Sequence, residues 1–216
     1  MNNVRRRFYD LNVGPARDEE WLDAVMAMAE HLGYRGVAIV VEDNAEWIRD
    51  AASAYKVELY TRVDIRARRL RDVRKKISKL RWADIIGVIC EDRGFAREAA
   101  KLKQVDILSF SGRSIGFIDT RQINVVNIHR KPIEIVLRDV IAGTTPLYIY
   151  IEKLRKALEV SWRGGATLIL SSGASGPGGM RSPRDIASIA SILGYPEDWS
   201  LGLLSDNPRR VVGDML

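Results

Sequence analysis

FYDLNVGPARDEEWLDAVMAMAEHLGYRGVAIVV, residues 8–41, reads as a strand, a helix and a second strand in succession. Phe8 to Val13 is a short β-rich run. Asp18 suits a helix N-cap, with Glu19 and Glu20 at the positive end of the helix dipole. Trp21, Leu22, Val25, Met28, Ala29 and Leu32 recur at helical spacing, and Gly33 ends the helix. Val37 to Val41 is the second strand. Two strands joined by a helix pair in parallel through a right-handed crossover.

The alternation continues along the chain. Asn44 to Tyr55 reads as a helix, Val57 to Val63 as the third strand, and Leu70, Val73, Ile77 and Leu80 as one helical stripe. Ile85 to Cys90, Asp106 to Leu108 and Ile123 to Ile128 read as strands four to six. Helices are predicted over Pro132 to Ala142 and from Thr145-Pro146 to Gly164-Gly165. Leu168 to Leu170 is a seventh strand, Pro183 to Leu193 a helix and Leu201 to Leu204 an eighth strand. The expectation is an α/β fold, a single TIM-like (β/α) barrel with parallel strands over residues 1–216 as one domain. An open doubly wound sheet shares the alternation.

A hydrophobic fraction of 46% and a mean hydropathy of -0.13 are those of a folded globular chain rather than a disordered one. No apolar run approaches the roughly 20 residues of a membrane-spanning helix, and the apolar segment after the basic start is too short for a secretory signal. Cys90 is the one cysteine, which fits a reducing compartment. The expectation is a cytoplasmic protein with no membrane partner.

Net charge is +6, but it is concentrated. Residues 62–81 hold ten Lys or Arg against Asp64 and Asp72, a local +8, so the remainder is net negative. This segment, read as a helix with its apolar stripe inward, turns Arg66, Arg68, Arg69 and Lys75 outward. Such a face neutralises phosphates and binds nucleic acid without regard to sequence. Arg113, Arg121, Arg130 and Lys131 read as a second basic group around strands five and six.

In a barrel, function gathers in the loops after the strands. Those strand ends carry Asn12, Glu91, Asp92, Ser109, Asn127, His129, Arg130, Ser171, Ser172, Ser205 and Asp206. Two histidines are few for a metal centre, so no metal ligands and no catalytic residues are assigned. Asp10, Glu91 and Asp92 are the acids a magnesium ion would use; His31 beside Gly33 suits a helix end. Cys90 reads as a buried small hydrophobe. The loop from Ser171 to Asp185 is glycine-rich and ends in a capped helix, with Ser182 as N-cap and Pro183 at the first turn. Ser171, Ser172, Arg181 and Arg184 are therefore candidate phosphate contacts at a helix N-terminus.

Phe8 to Val13, the Ser171-Ser172-Gly173-Ala174 turn and Met180-Arg181-Ser182-Pro183-Arg184-Asp185 together resemble archaeal ribonuclease P protein component 3, over nearly the whole chain. The resemblance implies a TIM-barrel-like subunit that serves 5′-leader removal from precursor tRNA, with an RNA subunit carrying the catalysis. It implies ribonuclease P RNA, a Pop5-like α/β subunit and other ribonuclease P proteins as partners, precursor tRNA being met indirectly. No cofactor is expected on this chain, the holoenzyme needing Mg2+ through its RNA. The family is similar in fold to the polymerase and histidinol phosphatase barrels, whose first strand carries metal-binding histidines. Here that run is Asp10-Leu11-Asn12-Val13-Gly14, without histidine. A free-standing barrel hydrolase or phosphatase using the Ser171 to Arg184 loop is the other reading.

Overall fold

In a computed structural model, residues 6–43, 46–141, 143 and 146–213 are described; Asn44, Ala142 and Thr145, predicted at helix ends, lie outside them. Among the described residues a seven-stranded, wholly parallel sheet runs in sequence order: β1 (Phe8–Val13), β2 (Tyr34–Val40), β3 (Glu58–Ile65), β4 (Ile85–Ile89), β5 (Ile107–Ser111), β6 (Ile133–Val136) and β7 (Leu168–Ser171). The helices between them are α1 (Glu19–Leu32), α2 (Glu46–Ala51), α3 (Leu70–Ile77), α4 (Arg93–Ala99), α5 (Thr120–His129), α6 (Arg138–Ile141) and α7 (Leu147–Gly164). After β7 come α8 (Pro183–Ile192), α9 (Glu197–Gly202) and α10 (Asp206–Gly213). The predicted caps are present: Asp18 accepts Trp21 N–H at 2.8 Å, Gly33 is left-handed with φ 81, and Ser182 accepts Asp185 N–H at 3.2 Å.

The barrel closes without an eighth strand. At the C-terminal end Gly14 N–H donates to Ala174 O at 2.8 Å, joining β1 to the extension of β7. Further down, Leu203 O accepts from Leu170 of β7 at 3.2 Å and Leu204 O from Tyr9 of β1 at 2.8 Å. Leu201 to Leu204, predicted as a strand, is thus the end of α9 and a turn whose two carbonyls stitch the seam. Ile123 to Ile128, also predicted as a strand, lies in α5. Ile123 and Val126 are buried while Asn124, Asn127 and Ile128 are exposed, which is helical spacing. The first part of Pro132 to Ala142, predicted as one helix, supplies β6, where Pro132 precedes a buried run that pairs with β5 and β7, and only Arg138–Ile141 is helical, as α6. The stretch from Arg62 to Arg81 is not one helix either: Arg62 belongs to β3.

Side chains alternate across the sheet. The outward set, with α1 to α8, forms the two larger apolar clusters, which include Val37, Ile39, Val88, Leu108, Ile133 and Leu170, and Cys90 is buried in one of them. The inward set forms a small apolar layer of Tyr9, Leu11, Ala38, Ile85, Ile107 and Ile169, joined by Val211 and Val212 of α10. Above this layer, toward the C-terminal ends of the strands, the barrel interior becomes polar.

Candidate nucleic-acid interface

The polar layer is built around Arg62 and Glu134, both 0% exposed. Two parallel bonds of 2.7 and 2.6 Å join the guanidinium to the carboxylate across the barrel. Arg62 also donates to Asp64 Oδ1 at 2.8 Å and to Leu11 O at 2.6 Å. Glu134 accepts the Ser109 hydroxyl at 2.7 Å, the Ser171 hydroxyl at 2.6 Å and the Asn12 amide at 3.3 Å. Burial alone would raise the Glu134 carboxyl; the Arg62 guanidinium and the serine hydroxyls outweigh it and hold it below the usual range. Burial pulls Arg62 the other way, and Asp64 and Glu134 keep it charged. Room for this pair comes from Gly87, where a Cβ would stand 2.1 Å from Asp64 Oδ1 and 3.0 Å from Arg62 Nη2. Charges this well paired are structural, and neither Arg62 nor Glu134 is freed to take a proton from a substrate.

The remaining acids do not converge. Asp10 is fully buried, takes the backbone N–H groups of Asn12 and Ser172 on Oδ1, and is pushed up by burial to about 6. Glu91 pairs with Arg66 at 3.3 Å on the surface, and Asp92 caps α4 through Phe95 N–H at 2.7 Å. Among the described residues there is no group of three or more His, Cys, Asp or Glu placed to hold a metal ion.

The cations are distributed over one end and one flank. Arg66, Arg68 and Arg69 follow β3 at the C-terminal rim, all exposed, beside the start of α3, whose N-cap Arg69 makes no side-chain cap. Val73 and Ile77 pin α3 to the barrel, leaving Arg71, Arg74, Lys75, Lys76 and Lys79 in solvent. Within 62–81 only Arg62 is withdrawn, so the exposed charge remains strongly positive. Arg113, in the 3-10 turn after β5, and Arg121, in the first turn of α5, are exposed at the same end. Arg130 and Lys131 are not with them. Because residues 123–128 are helical, this pair precedes β6 at the opposite end of the barrel, in a cleft shared with Asp106 and Arg210. Lys131 is committed there to the carbonyls of Lys103 and Val105 at 2.9 and 2.5 Å. Asn127 and His129 stand at that end too, and Ser205 and Asp206 lie at the turn into α10, not on the rim.

The Ser171 to Asp185 loop is at the rim, but its polar groups are largely used internally. Ser171 serves Glu134, and Ser172, fully buried, accepts Ala174 N–H at 3.0 Å. Trp21 and Tyr34 donate to Ser175 O and Arg181 O at 3.2 and 2.8 Å and fix the loop to α1 and β2. The Arg181 guanidinium folds back on Gly178 O and Met180 O, while Arg184 stands exposed 4.0 Å from Glu197. Two features were invisible in the sequence: the Arg62–Glu134 pair, whose members are 72 residues apart, and the aromatic cluster of Trp162, Tyr195 and Trp199, with ring centroids 4.9 to 6.2 Å apart.

The described residues thus form a parallel barrel with a polar, internally paired interior layer and an outer cationic flank. The chain belongs to the family described as RNase P subunit p30, whose family model matches residues 7–215. It is 26% identical to ribonuclease P protein component 3 of Methanothermobacter thermautotrophicus, covering 98% of this chain and 91% of that one. Identity to the component 3 of Methanococcoides burtonii is 23%, covering 97% and 88%. A chain in a structure of archaeal ribonuclease P with mature tRNA has the same fold, at TM-score 0.80, 18% identity and coverage of 95% and 90%.

Proposed function

We propose that this chain is a cytoplasmic, non-catalytic protein subunit of ribonuclease P that binds and organises the catalytic RNA for removal of 5′ leaders from precursor tRNA. The observation that carries the RNA reading is the exposed cationic flank from Arg66 to Arg81, with few acids beside it. Arg66, Arg68, Arg69 and Lys75 contact phosphate, and Arg113, Arg121 and Arg184 extend the interface along the rim. Magnesium acts through the RNA, and precursor tRNA is met indirectly. The protein partners are a Pop5-like α/β subunit and other ribonuclease P proteins. A protein partner suits the surface around Trp162 and Ile192, 44% and 82% exposed, better than the flank does.

The test is reconstitution of precursor-tRNA cleavage from the RNA and protein subunits with and without this chain. Activity should rise on its addition, and cleavage by this chain alone would overturn the reading. The triple variant Arg68→Ala, Arg69→Ala, Lys75→Ala should weaken RNA binding and flatten the log K against log salt slope by about 0.9 for each phosphate no longer neutralised. An unchanged slope removes α3 from the RNA.

A further inference from the structure

The polar layer and the cationic flank meet in a cleft of ≈ 660 Å³ that opens at the C-terminal mouth, within the roughly 300–1,000 Å³ usual for small-ligand sites. Asn12, Asp64 and Ile89 line it on the barrel side, Arg66, Lys76 and Lys79 on the side of β3 and α3, Glu42 and Asp43 just after β2, and Arg138 at the start of α6. Asn12 spends its amide N–H on Glu134, which leaves its carbonyl oxygen as an acceptor. Asp64 spends Oδ1 on Arg62 Nε, and its Oδ2 takes no hydrogen bond from the described residues. Two acceptors therefore stand on the barrel side of the cleft, with the side chains of Lys76 and Lys79 exposed and outside any ion pair among the described residues.

Such a site asks for a ligand with N–H donors at one end and negative charge at the other. We propose that the cleft takes one unpaired nucleotide of the bound RNA, base first. The exocyclic amine of adenine, cytosine or guanine donates to Asp64 and Asn12, and the 5′ phosphate lies against Lys76 and Lys79. A polyamine would satisfy the acceptors and be drawn to Glu42 and Asp43, but it meets the repulsion of four cations, Arg66, Lys76, Lys79 and Arg138. Uracil presents carbonyls on both sides of its N–H and meets the Asp64 carboxylate unfavourably. The inference rests on the RNA-binding reading above, shares Arg66, Lys76 and Lys79 of the cationic flank with it, and adds the cleft beside them.

Ligand-detected NMR titration of the full chain tests it with AMP, CMP, GMP, UMP, ribose 5-phosphate and spermidine. AMP, CMP and GMP should bind at least tenfold tighter than ribose 5-phosphate and UMP, and spermidine should not displace AMP. Ile89→Trp, which fills the mouth, should abolish AMP binding. Lys76→Glu with Lys79→Glu, on solvent positions that do not endanger folding, should cost AMP at least tenfold and leave adenosine unchanged. A hairpin with one bulged adenosine should bind more tightly than the same hairpin with an abasic residue there. Equal binding of AMP and ribose 5-phosphate, or wild-type AMP binding in the lysine double variant, overturns the site. Equal binding of the two hairpins overturns RNA as the source of the nucleotide. Stimulation of reconstituted cleavage alongside either result leaves the subunit reading standing, so the two failures are distinct.

Discussion

Glu134→Ala is the perturbation that most directly tests how the barrel is held. It removes both bonds to Arg62 and strips the acceptor from the Ser109 and Ser171 hydroxyls. Arg62 keeps Asp64 and Leu11 O, so its charge is left partly, not wholly, uncompensated in a site with no solvent access. Removing one member of a buried ion pair costs about 3–5 kcal/mol, against a typical total stability of about 5–15 kcal/mol. With a urea slope of about 2 kcal/mol per molar, the unfolding midpoint should fall by roughly 1.5–2.5 M. The control is the triple change Arg62→Met, Asp64→Asn and Glu134→Leu, which removes the three linked charges together and should cost far less than the single change. Equilibrium urea unfolding followed by tryptophan fluorescence and circular dichroism reads all three proteins. A Glu134→Ala midpoint within about 0.5 M of the parent, or a triple variant no better than the single, refutes the assignment of this pair as the tie across the barrel.

Three further outcomes follow from local geometry. Burial raises the Asp10 carboxyl to about 6 from its ordinary value of 3.8, so the folded state holds this proton more tightly than the unfolded chain. The associated stability is present below about pH 4 and lost as pH rises through about 6. Asp10→Asn should therefore flatten the pH dependence of the unfolding midpoint between pH 4 and 7 and be at least as stable as the parent at pH 7.5. Gly87→Ala drives a methyl onto Asp64 and Arg62 and should lower stability by roughly 1–3 kcal/mol, read by the same unfolding titration. Arg130 holds a left-handed φ of 51 at the end of α5, so Arg130→Gly should raise the thermal midpoint through about 0.5 kcal/mol. Holoenzyme salt dependence should not change with it, since Arg130 lies at the far end of the barrel from the cationic rim.

The first half of the barrel was readable because Phe8 to Ile89 carries strong punctuation: an Asp cap, a left-handed glycine, and helices with a clear apolar stripe. The second half misleads for identifiable reasons. Ile123-Asn124-Val125-Val126-Asn127-Ile128 is rich in β-branched residues, and only packing against α7 reveals that one face is buried. Ile133-Glu134-Ile135-Val136 hides as a strand because a charged residue inside a barrel has no local signature; its partner Arg62 is supplied by β3, across the barrel interior. The same blindness placed Arg62 among the surface cations and Arg130 with Arg113. The basic flank itself was legible, because a run of cations along one short helix leaves no room for them all to turn inward.

The stitched seam has a consequence for biosynthesis. On the ribosome, β1 to β7 are complete when Ser171 has been added, yet the carbonyls that join β7 to β1 in the lower half of the barrel arrive with Leu203 and Leu204, and the α10 side chains of the inner apolar layer later still. The nascent sheet therefore carries two open lower edges for more than thirty residues of elongation. During that interval its flanking strands are templates for any other extended chain, and the molecule seals them from its own C-terminal end.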